Sequence, residues 1–130
     1  MCVISPFEVG CDVEIIKGDR GRLAERFFKP EESAWIKHFE TLEAQSEAFY
    51  RLWTLKECYM KVTGRGLSLM PDMFALHMDE LENVTLFHDG KRPEYSFREI
   101  KLHDGYRYAY CIKNDSFIAP SEIKRVQFTC

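Results

Sequence analysis

Two pairs of residues in this sequence have the types and the spacing to do chemistry. Glu57 and Lys61 lie four apart in a stretch of helical pattern, so a carboxylate and an ammonium share one helix face. Asp12 and Glu14 lie two apart in a stretch of strand pattern, so two carboxylates share one strand face, roughly 7 Å apart along it. Carboxylates held side by side repel one another unless a cation or solvent intervenes. They can therefore be metal ligands, or the protective charges of a solvent-facing strand edge. Glu57 and Lys61 can likewise grip a metal-bound phosphate, or form an ordinary surface ion pair.

The elements that must position these groups follow from periodicity. Ala48, Leu52, Leu55, Tyr59 and Val62 recur at spacings of four and three, which predicts a helix from Phe49 that ends at Gly64 and Gly66. Val9 to Ile15 predicts a strand, with Met1 to Ile4 as a shorter strand paired to it across Ser5-Pro6. Between strand and helix, Asp19 can cap a helix through Leu23, Ala24, Phe27 and Phe28. Pro30, with Glu31 and Glu32 behind it, starts a second helix, and Glu40 to Ser46 reads as a polar joint. After Gly66 the pattern turns to strands: Phe74 to Met78, Asn83 to Phe87, Tyr95 to Leu102, Tyr106 to Ile112 and a last edge strand over Ser121 to Phe128. Asp89-Gly90 marks a turn between the second and third of them. The order predicts an α+β fold, an antiparallel sheet packed against helices, in one domain over residues 1–130.

Composition narrows the classes. With 45% hydrophobic and 14% aromatic residues, the chain has enough apolar material to fold around a core. No apolar run approaches the roughly 20 residues needed to cross a membrane, so no membrane role is expected. A net charge of -3 argues against nucleic acid as the main partner. The five cysteines form no C-x-x-C pair, which argues for a reducing, cytoplasmic setting and against zinc. Lys17, Arg20, Arg22, Arg26 and Lys29 form a basic stretch, readable as solvated helix faces or as a site for an anionic ligand or acidic partner.

Three pieces then line up: G-C-D-V-E at 10–14, R-F-F-K-P-E-E at 26–32 and L-W-T-L-K-E-C-Y-M-K-V-T-G-R-G-L-S at 52–68. Together they resemble the Sfp-type 4′-phosphopantetheinyl transferases, whose pattern is a G-[IV]-D-[IV]-E strand followed by a W-[ST]-x-K-E-[AS]-x-x-K helix ending in G-x-G-L-S. The resemblance implies transfer of 4′-phosphopantetheine from coenzyme A to a serine of an acyl or peptidyl carrier protein, releasing adenosine 3′,5′-bisphosphate. It implies Mg2+ held by Asp12, Glu14 and Glu57, with Glu57 and Lys61 as catalytic residues and Lys61 on a phosphate oxygen. Lys56 also matches the motif, either as a coenzyme A contact or as a structural residue. Glu57, Glu32 or a metal-bound water would accept the serine proton. The basic stretch would dock the acidic carrier.

The resemblance is to the C-terminal half of that two-half family only. The N-[FLV]-S-H-S stretch of the first half, which helps to hold coenzyme A, is absent. Self-association, a missing N-terminal half or a separate partner chain is therefore expected to complete the site. The shorter holo-acyl-carrier-protein synthase branch works as an oligomer with sites between subunits. The rival expectation is a binding module that docks a carrier protein or partner half without chemistry.

Overall fold

The computed structural model describes residues 1–113. Their order is one strand, three helices and four strands: β1 (Val9–Ile15), α1 (Gly21–Phe27), α2 (Pro30–Lys37), α3 (Leu42–Thr63), β2 (Phe74–Met78), β3 (Val84–His88), β4 (Ser96–Ile100) and β5 (Tyr106–Ile112). Every ladder is antiparallel. One sheet runs β1-β5-β4 and a second, smaller one is β2-β3, so the α+β class expected from the sequence is the class observed. Among the described residues, no helix is long and apolar enough to cross a membrane.

Several pairings differ from the sequence reading. Met1 to Ile4 forms no strand. Ile4 is 94% exposed, so that run has no buried face to reward pairing. The neighbour of β1 is instead β5, in register from Val9 opposite Ile112 to Ile15 opposite Tyr106. The turn at Asp89-Gly90 exists, with both residues at positive φ and His88 bridged to Lys91. It does not join paired strands, because β3 pairs with β2 and β4 with β5. The strand expected over Ser121 to Phe128 lies outside the described residues.

Helix α3 is the long element against which the sheet packs. It begins at Leu42 rather than Phe49, because Thr41 caps it: its Oγ1 accepts the Ala44 N–H at 3.1 Å. The supposed polar joint is therefore largely the helix's first turns. Gly64 ends it at φ 65°, in the left-handed region that favours glycine. The stripe Ala48, Leu52, Leu55, Tyr59 and Val62 is buried throughout.

Two constraints fix α3 in place. The first is Gly10 on β1. A Cβ there would stand 2.2 Å from the Cys58 carbonyl oxygen and 2.7 Å from the Val62 nitrogen, so strand backbone and helix backbone are in direct contact. The second is a buried ion pair. Lys56 is 0% exposed, and its Nζ lies 2.8 Å from Glu32 Oε1, 2.5 Å from the Pro71 carbonyl and 2.6 Å from the Phe74 carbonyl. Glu32 in turn accepts the Lys29 N–H through Oε1 and the Leu76 N–H through Oε2, each at 3.0 Å. The pair thus ties α2, α3 and β2 together.

This corrects two expectations. All three protons of the Lys56 ammonium have protein acceptors, so its structural reading holds and it is not free to bind coenzyme A. Glu32 is buried and fully engaged, so it cannot take a proton from a carrier serine.

Two stability outcomes follow. Gly10→Ala should cost about 3 kcal/mol or more, because the clash is with backbone that cannot repack. Lys56→Met should cost about 3–5 kcal/mol by stranding Glu32, whereas Lys56→Met with Glu32→Gln should recover part of that loss. Urea denaturation measures both. A Gly10→Ala protein of wild-type stability would contradict the close approach, and a double variant less stable than Lys56→Met would contradict the pairing.

Candidate functional site

Strand β1 is turned the opposite way from an ordinary amphipathic edge. Val13 and Ile15 are 36% and 42% exposed, whereas Asp12 is only 8% exposed. The carboxylate face, which Gly10 shares, looks toward α3. The solvated-edge reading of Asp12 and Glu14 is therefore set aside. Because Gly10 lets the strand lie on the helix backbone, Asp12 reaches the next polar residues along α3.

There it meets Lys61, whose Nζ is 2.6 Å from Asp12 Oδ1 and 3.1 Å from the Cys11 carbonyl oxygen. Asp12 Oδ2 is buried and has no hydrogen-bond partner. Burial pushes the Glu14 carboxyl above its ordinary range, and the Asp12 charge and the nearby Glu57 add to that, against a hydrogen bond from Trp53 that lowers it. Glu57 is also raised, by burial and then by Asp12, with Lys61 pulling the other way. Burial tends to lower Lys61, but its hydrogen bond to Asp12 and the two carboxylates' charge outweigh this and leave it raised. Three carboxylates thus face one ammonium, and the negative charge is only partly compensated.

The structure brings together Asp12, Glu14, Glu57 and Lys61, and leaves Lys56 in the core. It also brings in Trp53, a residue type that on a helix packed against a core is ordinarily core. Its indole favours the charged form of the Glu14 carboxyl while its ring stacks on Phe49 at 6.0 Å and 14°. The spacing held the signal: Trp53, Glu57 and Lys61 are four apart in succession, so all three lie on one helix face. Of the basic stretch, Lys17, Arg22 and Arg26 are exposed, but Arg20 folds back so that its Nε donates to the Tyr50 hydroxyl at 2.7 Å.

Among the described residues, no group of three His, Cys, Asp or Glu side chains is placed to hold a metal ion as the chain stands. The donors nevertheless fit a hard divalent cation. They are carboxylate oxygens, one of them buried without a partner, and two of the three carboxyls are raised by burial and then by the charge of Asp12. The nearby thiols of Cys58 and Cys111 are pushed up by burial and offer no nucleophile. Such a site suits stabilising charge on an anionic substrate attacked by an external group.

Comparison with known proteins gives the family. The family model of the 4′-phosphopantetheinyl transferase superfamily matches residues 8–111. The chain is 32% identical over 130 residues to the 4′-phosphopantetheinyl transferase Sfp of Bacillus subtilis (strain 168), covering 98% of this chain and 56% of that protein. It is 30% identical over 111 residues to the 4′-phosphopantetheinyl transferase gsp of Aneurinibacillus migulanus, covering 85% of this chain and 46% of the relative. The chain thus spans about half the length of the curated relatives it matches. Among solved structures, the holo-[acyl-carrier-protein] synthase of Thermotoga maritima superposes with a TM-score of 0.67 at 18% identity, over 83% of this chain and 63% of that one. A holo-(acyl-carrier-protein) synthase from Bacillus anthracis str. Ames, in complex with CoA (3′,5′-ADP), gives 0.61 at 16% identity, over 82% of this chain and 94% of that one. At these identities the likeness is one of fold.

The raised carboxyls have a measurable signature. Glu14 and Glu57 keep their protons in the fold above the ordinary value of 4.5, where the unfolded chain has released them. Between 4.5 and the raised folded values, these groups make stability fall as pH rises. Glu14→Gln should therefore lose stability less steeply than the wild type above pH 4.5 and be at least as stable at pH 7. Urea denaturation across pH 4–8 reads this; a variant clearly less stable at pH 7 would contradict it.

Proposed function

The chain belongs to the 4′-phosphopantetheinyl transferase superfamily, and on that premise we propose that its Asp12–Glu14–Glu57–Lys61 site moves 4′-phosphopantetheine from coenzyme A to a serine of an acyl or peptidyl carrier protein. The observation that best supports this is the buried Asp12 carboxylate with one oxygen unpartnered, set beside two under-compensated carboxyls and a half-exposed lysine.

Asp12, Glu14 and Glu57 would hold Mg2+, which when bound draws off charge developing on the pyrophosphate. The indole of Trp53 favours the charged form of Glu14 and carries no charge of its own. Lys61, one turn beyond Glu57, serves as a point charge for a phosphate oxygen. The serine oxygen forms the new bond to phosphorus, and the bond to the departing adenosine 3′,5′-bisphosphate breaks. The hydroxyl proton must leave as this happens. With Glu32 committed to the core, Glu57 or a water in the site would take it. Catalysis is then mainly positioning and charge stabilisation.

The exposed Lys17, Arg22 and Arg26, on the segment just after β1, offer a surface for an acidic carrier. A reducing, cytoplasmic setting suits the free Cys2, Cys11, Cys58 and Cys111. The opposite wall of the site would come from a second copy of the chain or from an N-terminal half. A second reading is a module whose same surface docks a carrier protein or partner half without chemistry.

The test is transfer from coenzyme A to an apo carrier protein, read as a mass increase on the carrier. Mg2+ should be required, and Asp12→Ala and Glu57→Gln should each lower the rate by about a hundredfold or more. Wild-type turnover with Asp12→Ala unimpaired would reject the site assignment. Carrier binding with neither transfer nor affinity for coenzyme A, in the chain as an oligomer, would establish the second reading.

A further inference from the structure

The two motif lysines, five residues apart on one helix, have opposite commitments. Lys56 has three protein acceptors and no exposure. Lys61 has two, Asp12 Oδ1 and the Cys11 carbonyl, and its side chain is 49% exposed. One of its three protons thus faces outward, and its stem is free to swing. The oxygen it holds is also the one that a cation at Asp12 would meet together with the unpartnered Oδ2.

We infer that Lys61 is the divalent cation's internal competitor: it occupies Asp12 Oδ1, gives up that oxygen when the cation takes it, and is thereby released toward the substrate's phosphate. This rests on the metal site proposed above. An ammonium 2.6 Å from Asp12 Oδ1 and a divalent ion on the same oxygen would repel one another at close range, so the two compete for it. Glu57 stays within the electrostatic reach of both. The exchange has two consequences. Cation binding costs the chain its Lys61–Asp12 pair, so affinity for the cation alone is held down. A phosphate that accepts the released ammonium offsets that loss, so the cation binds better where an anionic substrate is present. Lys61 then serves both binding events in turn, by position and without a change of protonation.

The measurement is Mn2+ affinity of the full chain by electron paramagnetic resonance, with no substrate and no turnover. Lys61→Met keeps the unbranched apolar stem and removes the charge. It should bind Mn2+ about tenfold more tightly than the wild type, a gain of about 1.4 kcal/mol. Lys37→Met, a charge change on exposed α2, should bind within about twofold of wild type and shows that net charge alone is not responsible. Equal or weaker Mn2+ binding by Lys61→Met, with wild-type binding intact, overturns the exchange and leaves the metal site standing. No Mn2+ binding by either protein, or binding undiminished in Glu57→Gln, removes the metal site and the exchange together.

Discussion

The contact between Gly10 and the backbone of α3 is the constraint on which the site depends. It is a steric fact before it is a chemical one. Only a residue without a side chain lets β1 approach the Cys58 carbonyl and the Val62 amide so closely. Once that approach is made, the alternation of the strand does the rest. Asp12 and Glu14 must follow Gly10 onto the helix side, and Val13 and Ile15 must take the exposed side. The usual assignment of apolar residues inward is given up on this one strand so that carboxylates can be held against a helix.

That arrangement raises the local cost in charge, and the fold meets it differently at each end of the motif helix. Around Lys56, every charge is paired inside the protein, and the product is rigidity between α2, α3 and β2. Around Lys61, the pairing is incomplete and partly open to solvent. A fully satisfied network specifies a structure; an unsatisfied one at the surface leaves room for ligands. The motif K-E-C-Y-M-K contains both in little more than one helical turn, which explains why its two lysines are not equivalent.

Much of this was legible in the sequence, for reasons that differ by residue. The stripe on α3 follows from periodicity alone, as does β2. Asp12, Glu14, Glu57 and Lys61 were visible as a set because spacing fixes which residues share a face. Which way the face of β1 pointed was not visible, since alternation is the same for a strand turned inward or outward; Gly10 held the answer through a contact with a residue far along the chain. The partner of β1 was hidden for the same reason, because β5 is distant in sequence. The start of α3 was missed through weighing polarity above the Thr41 cap. Trp53 was missed because a tryptophan near a core is ordinarily core, and here its ring is; only its N–H belongs to the site.

That divided role gives the molecule a property of another kind. The chain has two tryptophans. Trp35 stands on α2 with its ring edge-on to Phe39 at 5.2 Å, whereas Trp53 interacts with the Glu14 carboxyl of the site. The electric field at the Trp53 indole therefore varies with the charge held at Glu14. Its fluorescence is an intrinsic optical gauge of that charge, placed by the fold where an attached dye would disturb the very groups it was meant to observe.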